Sequence, residues 1–285
     1  MKVGLIGLGF VGNALCNGLK KNKVDVIKID PKFKTTIKDL IEFDPDIVFI
    51  SVPTPMMDDG SQDVSILMDI INELNSFKTQ FLLVLKSTIL PHYLNEIVCK
   101  YPDLIYNPEF LRENHADDDF VNSKSIIFGG DLDKAKLVSD FYKDFTKCKN
   151  KDHIFTDHVS ASLIKYSINS FLATKVIFFN ELKEIFINSN TKESWTNFTK
   201  AISSDERIGS SHMEVPGPDG RLGFGGPCFP KDTNALIEYS KYVDANFQLL
   251  KKICEINNGY RLIYNEPTKR EKDQNINFKK KNNNK

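Results

Sequence analysis

The residues Gly223–Asp232 bring a thiol, an ammonium group and a carboxylate together in a glycine-rich stretch. They read Gly-Phe-Gly-Gly-Pro-Cys-Phe-Pro-Lys-Asp, and the three glycines and two prolines predict a tight loop that a ligand can approach closely. Apolar residues near helical spacing follow over Thr233–Val243, so the loop leads into a helix N-terminus, which favours negative charge. A cysteine beside a cation at such a place can lose its proton, which makes Cys228 a candidate nucleophile. The alternative is a buried structural cysteine beside a surface Lys–Asp pair.

Lys165 and Asn169 form a second candidate pair. They lie in Asp157–Asn188, which contains no proline or glycine and whose apolar residues predict one long helix with a wide apolar face. Four residues apart on a helix, the two side chains lie one turn apart and can both donate to an oxygen. Burying them without partners is costly, and the alternative is a solvent-facing stripe.

A dinucleotide-binding fingerprint begins the chain. The strand Lys2–Ile6 runs into Gly7-Leu8-Gly9-Phe10-Val11-Gly12 and an apolar helix, and a second strand ends on Asp30. In this pattern the first glycine allows the turn, the second admits the pyrophosphate and the third packs helix on strand. We expect Asp30 to bind the adenosine ribose and to favour NAD over NADP.

Alternating strands and helices continue to about residue 156, with predicted strands at 46–51, 81–86, 104–106 and 125–128. Continuous apolar strands of this kind predict a parallel, Rossmann-type sheet with helices on both faces. Ligands of such sheets bind at the carboxyl ends of the strands. The polar segments at those ends are Val52–Pro55, Lys86–Thr88 and Asn107–Glu113, each of which could also be a simple turn.

The second half predicts an all-helical domain over residues 157–265 that carries the candidate cysteine. Helices are expected at 157–188, 191–203, 233–243 and 247–264. The Lys/Asn-rich segment 266–285 has almost no apolar residue, and we predict that it is disordered.

The composition argues against several functional classes. Lys+Arg and Asp+Glu both number 38, so the charge balance gives no case for nucleic acid or a membrane surface. No apolar run approaches the length of a membrane span, and Met1–Leu5 enters a strand without room for a signal peptide. The five cysteines are widely spaced, which suits reduced thiols in the cytoplasm and gives no zinc motif: Cys16, Cys99, Cys148, Cys228 and Cys254.

The stretch Gly223–Asp232 resembles the active-site signature of the UDP-glucose/GDP-mannose dehydrogenase family, GFGGSCFPKD, with Pro227 in place of the usual serine. Asn107–Glu113 resembles the NPEFLREG motif of the same family, with Asn114 in place of the final glycine. The pair K-x-x-x-N at Lys165 occurs in this family and in the related β-hydroxyacid dehydrogenases. The resemblance covers roughly residues 1–265 and stops where family members continue into a third, UDP-binding domain.

The resemblance implies an NAD-dependent, four-electron oxidation of a sugar or nucleotide-sugar alcohol through a covalent intermediate on Cys228. The candidate catalytic residues are Cys228, Lys165, Asn169, Asp232, Glu109 and Thr88. The fingerprint and the resemblance together give as cofactor contacts Gly7, Gly9, Phe10, Val11, Gly12, Asp30, Pro53, Thr54, Thr88 and Glu113. The candidate substrate contacts are Glu109, Phe110, Leu111, Arg112, Glu113, Lys165, Asn169, Arg207, Gly225 and Lys231.

The resemblance also implies a homodimer in which Arg207 reaches substrate bound to the neighbouring subunit. Two other functions stay open. A two-electron hydroxyacid dehydrogenase would use Lys165 and Asn169 but would leave Cys228 and its glycine loop unexplained. A truncated relative that binds NAD without turnover is the third reading, and the missing third domain is its main support.

Overall fold

The computed structural model describes residues 1–77, 80–149 and 152–278. The chain folds into two compact units, one of Met1–Thr54 with Gln62–Lys165 and one of Pro55–Ser61 with the residues from Tyr166 onward. The sequence pattern gives a domain boundary after residue 156, whereas the structural boundary falls inside the long helix that begins at His158. Helical periodicity locates a helix but does not say which core each of its turns joins.

The first unit is built on a seven-stranded sheet in the order β2-β1-β3-β4-β5-β6-β7. The strands are β1 (Lys2–Ile6), β2 (Asp25–Ile29), β3 (Ile47–Ile50), β4 (Leu82–Leu85), β5 (Ile105–Tyr106), β6 (Ser125–Gly129) and β7 (Asp152–Thr156). Strands β1 to β5 pair in parallel, as the continuous apolar runs predict. The strand order reverses between β1 and β3, where ligands of such sheets bind.

Helices cover both faces of this sheet over two separate apolar cores. They are α1 (Phe10–Gly18), α2 (Ile37–Phe43), α3 (Ser65–Ser76), α4 (Pro91–Lys100), α5 (Ala116–Asn122) and α6 (Leu132–Phe145). The α/β sheet with helices on both faces is therefore confirmed.

One strand direction differs from the expected parallel sheet. β6 pairs antiparallel with β5 through Tyr106 and Gly129, and β7 then pairs parallel with β6. The connection from β5 to β6 contains a short 3-10 helix (Glu113–His115) and the seven-residue α5. Helix α5 lies against α1, since a Cβ added at Gly18 would meet the Phe120 ring at 2.2 Å. Because β6 is antiparallel to β5, it begins at the edge of the sheet where β5 ends, whereas a parallel strand needs a crossover to the opposite edge.

The second unit is helical, as predicted. It contains most of α7 (His158–Asn188), followed by α8 (Trp195–Ser203), α9 (Phe229–Tyr242), α10 (Gln248–Arg261) and α11 (Lys269–Lys272). One face of α7 is buried, and Phe179 packs there with Met213 and Val215. In the described part of the chain, no helix has the length and apolar character needed to cross a bilayer.

Three expectations for the second unit are wrong. Helix α8 begins at Trp195 instead of residue 191, after Ser194, whose side chain caps it. Helix α9 begins at Phe229 instead of Thr233, because Pro230 fits the first turn of a helix, where its missing N–H is not needed. The predicted disorder does not hold over residues 266–278, where Glu271 and Ile276 are buried. A short capping box starts α11 and gives this polar segment a local structure. The rest of the segment, 279–285, lies outside the described residues.

The glycine loop after β1 gives a first prediction. A Cβ at Gly12 would lie 2.1 Å from the backbone oxygen of Gly7, whereas a Cβ at Gly9 would meet nothing within 4 Å. Gly12→Ala should therefore lower the free energy of unfolding by about 1–3 kcal/mol, as overpacking does. Gly9→Ala is the matched control and should unfold like the wild type in thermal melts followed by circular dichroism. Equal stability of the two variants would contradict this account of Gly12.

Candidate active site

The glycine loop at the end of β1 is shaped by the residues around it. Gly7 adopts φ +84°, and a Cβ there would lie 2.8 Å from the Ser51 backbone oxygen at the end of β3. The Ser51 hydroxyl donates to the Gly7 oxygen at 2.8 Å. The Asp30 carboxylate at the end of β2 accepts from the backbone N–H of Leu8 at 2.7 Å. An acid at the end of β2 therefore fixes the loop that leads into α1.

The loops after β3 and β4 are joined by hydrogen bonds to one carbonyl. The Thr88 backbone oxygen accepts from the Thr54 hydroxyl at 2.8 Å and from the Gln62 side chain at 2.7 Å. Thr54 is buried, whereas Thr88 is half-buried. Two predicted site residues, Thr54 and Thr88, thus come together at the carboxyl edge of the sheet.

Lys165 and Glu109 form a buried ion pair in the first unit. Lys165 Nζ donates to the Glu109 backbone oxygen at 2.5 Å and lies 3.4 Å from its carboxylate oxygen Oε1. The side chains are 3% and 7% exposed. The ammonium also lies 5.2 Å from the ring centroid of Phe110, and Glu109 Oε2 accepts from the Leu111 N–H. The solvent-facing alternative for Lys165 is therefore wrong.

Asp232 is the centre of a buried cluster in the second unit. Its oxygen Oδ2 accepts from Asn169 Nδ2 at 2.6 Å, and Oδ1 lies 2.5 Å from Lys231 Nζ. Asp232 is 1% exposed and Asn169 is 6% exposed. Both carboxylate oxygens are thus held by donors, which offsets part of the cost of burying the charge.

Cys228 is the N-cap residue of α9, one turn before Asp232. Its carbonyl accepts from the Asp232 N–H at 2.9 Å, the first hydrogen bond of the helix, and the residue is half-buried. Gly223 and Gly226 on the approaching loop have φ near +75°, a conformation that side chains disfavour. The predicted loop with its thiol at a helix N-terminus is therefore what the chain forms.

Two predicted substrate contacts are engaged with neighbours in their own loops. Arg112 is exposed and pairs with Asp119 at 2.7 Å, and Arg207 is exposed and pairs with Asp205 at 2.6 Å. Within the residues that the structure describes, no three His, Cys, Asp or Glu side chains come together as metal ligands.

Two sequence models of one family match the chain. The model for the central domain of the UDP-glucose/GDP-mannose dehydrogenase family matches residues 159–259, and the model for its NAD binding domain matches residues 32–146. The chain belongs to the UDP-glucose/GDP-mannose dehydrogenase family.

Individual relatives agree with this assignment. A UDP-glucose 6-dehydrogenase of Rickettsia bellii is 36% identical over 70% of this chain and 46% of its own length. The structure of a UDP-glucose dehydrogenase from Pyrobaculum islandicum is 25% identical, with a TM-score of 0.74 over 90% of this chain and 67% of that one. A 3-hydroxyisobutyrate dehydrogenase of Mycobacterium tuberculosis shares the fold at 14% identity, with a TM-score of 0.70. The chain spans about half the length of the Rickettsia relative.

The first unit of this family member has the features that NAD requires. The family match identifies the cofactor as NAD. The matched range begins at residue 32 and therefore does not include the glycine loop. Whether the loop fits the cofactor is judged from the geometry of the loop itself. A Cβ at Gly9 would meet nothing within 4 Å, the loop leads into the N-terminus of α1, and Asp30 directly follows β2. In folds of this type, that arrangement accommodates a pyrophosphate at the helix N-terminus and a ribose at the acid.

Lys86 is a buried residue at the end of a predicted strand, and it is not among the candidate site residues of the sequence analysis. Its Nζ donates to Asn107 Oδ1 at 2.9 Å and to the Tyr142 hydroxyl at 3.1 Å, and Tyr142 donates to the same Asn107 oxygen at 2.6 Å. Burial lowers the pKa of Lys86 to about 8, against an attraction from Glu109 that raises it. This network fixes the end of β5 two residues before Glu109. The sequence signal that could have indicated this buried lysine is its position at the end of an apolar strand.

The buried amine predicts a pH dependence of stability. The pKa of Lys86 is about 8 in the folded chain and about 10.5 ordinarily, so between these values the unfolded chain holds more protons at this site. The free energy of unfolding should therefore rise with pH across this window, by up to about 3 kcal/mol from this group. Lys86→Met should remove that rise in urea titrations at pH 8 to 10.5. Lys100→Met, which removes an exposed amine, should keep it, and a rise that survives in Lys86→Met would contradict the assignment.

Proposed function

We propose that this chain takes part in an NAD-dependent, four-electron oxidation of the primary alcohol of a nucleotide sugar to a carboxylate, of the UDP-glucose to UDP-glucuronate type. The observation that carries the proposal is Cys228 at the N-terminus of α9, one turn before the buried Asp232. A two-electron alcohol oxidation needs no thiol at that place. The matched relatives named for UDP-glucose support the substrate class.

Cys228 carries the substrate carbon between two oxidations. NAD would supply the hydride acceptor, with one NAD molecule reduced in each oxidation. The Cys228 thiolate adds to the aldehyde carbon formed in the first oxidation and gives a thiohemiacetal. Loss of a second hydride converts this adduct to a thioester, and water then cleaves the C–S bond, which releases the carboxylate and restores the thiol.

The buried clusters supply the polar groups for these steps. Lys165 and Asn169 donate to the oxygen that becomes negative in the adducts, and fixed donors of this kind stabilise an oxyanion. Asp232, acting through a water and helped by Thr88, takes the proton of the alcohol. Glu109 promotes attack of water on the thioester. The remaining predicted contacts, such as Arg112 and Gly225, hold the sugar.

The exposed face of α7 supports assembly as a homodimer. Phe171, Phe178 and Ile185 lie seven residues apart on this helix and are 69%, 58% and 63% exposed. Seven residues are close to two helical turns, so the three side chains form one apolar stripe. A stripe of this kind is typical of a helix that packs against a second chain. In this arrangement the exposed Arg207 reaches the substrate of the neighbouring subunit. We also propose that the enzyme works in the cytoplasm.

The covalent role of Cys228 gives a prediction for its serine variant. Cys228→Ser should retain part of the first hydride transfer, because that step does not use the thiol. Formation of the acid should fall by several orders of magnitude, since a hydroxyl is a far weaker nucleophile than a thiolate. Single-turnover reactions with UDP-glucose and NAD, read by NADH absorbance and by chromatography of the acid, test this. Cys99→Ser, on the exposed end of α4, should behave as the wild type. Acid formation by Cys228→Ser at the wild-type rate would rule out the covalent role.

The apolar stripe predicts the oligomeric state. The wild type should be a dimer at micromolar concentration in size-exclusion chromatography with light scattering. The double variant Phe171→Glu/Phe178→Glu should be a monomer, because two charges in an apolar interface lack partners. Leu249→Glu, at an exposed apolar position of α10, is the control and should remain dimeric. A monomeric wild type would contradict the assignment.

A further inference from the structure

Helix α10 binds the loop that carries Cys228 through two of its side chains. Asn257 Oδ1 accepts from the Phe224 N–H at 2.6 Å, and its Nδ2 donates to the Phe224 oxygen at 3.0 Å. Arg261 lies one turn further along α10, and its side chain is fully buried. Its Nη1 lies 2.8 Å from Asp219 Oδ2, four residues before the loop. Two consecutive turns of α10 thus bind the backbone and the entry of the loop.

Glu271 of α11 completes this arrangement. Its side chain is fully buried, and its Oε1 lies 2.6 Å from Arg261 Nη2. The same oxygen accepts from the backbone N–H of Gly226 at 3.1 Å. The other oxygen, Oε2, accepts from the Thr268 N–H at 2.6 Å in the capping box of α11. One carboxylate therefore joins the C-terminal segment, α10 and the loop two residues before Cys228.

The loop leaves no room beside this ion pair. A Cβ at Gly225 would lie 2.3 Å from Glu271 Oε1 and 2.4 Å from Arg261 Nη2. The backbone of the loop thus lies directly beside the buried charges, and a side chain at Gly225 would displace the charged ends of Glu271 and Arg261. A shift of Glu271 would be transmitted directly to the Gly225–Gly226 backbone.

A buried ion pair of this kind is not required for stability alone, because apolar residues of similar size often serve as well. What the ion pair contributes is orientation. Charge-assisted hydrogen bonds are short and directional, and they fix the groups that they join. The ion pair acts on the one segment of the second unit that must place a thiol at a helix N-terminus.

We propose that Glu271 is a positioning residue for Cys228, through its contacts with Arg261 and the Gly226 N–H. This inference rests on the proposed function of Cys228 as the reactive thiol. It assigns to the C-terminal segment, which is polar and outside the motifs of the active site, a part in setting the reactivity of that thiol.

The test measures the thiol directly. Wild type and Glu271→Gln are treated with iodoacetamide at pH 7.5, and the alkylation rate of each cysteine is read by peptide mass spectrometry. Glutamine keeps the size of the side chain but removes the charge that binds Arg261. We expect the alkylation rate of Cys228 to fall at least threefold, because the thiol leaves the position where its thiolate is favoured. Exposed Cys99 in the first unit and buried Cys254 in α10 should keep their wild-type rates.

The alkylation rates of Cys99 and Cys254 distinguish a positioning role of Glu271 from a role in stability alone. If Glu271 only stabilised the fold, Glu271→Gln would open the second unit, and Cys228 and Cys254 would both be alkylated faster. That result, or an unchanged Cys228 rate, would overturn the proposal. Glu266→Gln is the matched control, because it removes an exposed ion pair with Lys272 in the same segment, and it should leave Cys228 unchanged.

Glu271→Asp covers the case in which the glutamine variant does not fold. It keeps the charge beside Arg261 but shortens the reach to Gly226, and it should slow Cys228 alkylation by a smaller factor. An unchanged Cys228 rate in this variant would count against the proposal. The readout needs no turnover, so a wild type that forms no NADH would contradict the proposed function and leave the alkylation result to be judged separately.

Discussion

The polar groups of the candidate site are charged side chains removed from water, and this constraint governs the local structure. Lys165 is held by the backbone and carboxylate of Glu109, and Asp232 is held by Asn169 and Lys231. Removing one member of such a pair leaves an uncompensated buried charge, which is strongly destabilising. Each side chain is therefore fixed in one orientation before a ligand arrives, and fixed donors are what stabilisation of a developing negative charge requires.

Several glycines also fix the local structure, because they let backbone and side chains come close together. A side chain at Gly12 would collide with the Gly7 backbone oxygen, and a side chain at Gly225 would displace the charged ends of Arg261 and Glu271. Gly9, in contrast, faces open space. The first two glycines let parts of the protein approach one another, and the third lets a ligand approach the protein. A glycine-rich motif thus contains residues with different physical functions.

The sequence predicted the features that depend on local chemistry. The fingerprint from Gly7 to Gly12, the strand pattern and the cysteine loop all follow from backbone conformations that only certain residues adopt. The contacts of Lys86 and Glu271 could not be predicted, because their partners are distant in sequence and a single chain gives no sign of the pairing. The direction of β6 was missed for a similar reason: it depends on where α5 packs. The polar composition of residues 266–278 pointed to disorder, whereas one buried ion pair and a capping box give them structure.

In the proposed reaction, one carbon of the substrate is held on Cys228 between two oxidations. The most direct measurement is the ratio of NADH to acid formed by the wild type with a nucleotide sugar, with NADH read by absorbance and the acid by chromatography. Our account predicts two NADH for each carboxylate and no free aldehyde. One NADH for each product, with an aldehyde or ketone released, would contradict it and would indicate a two-electron dehydrogenase.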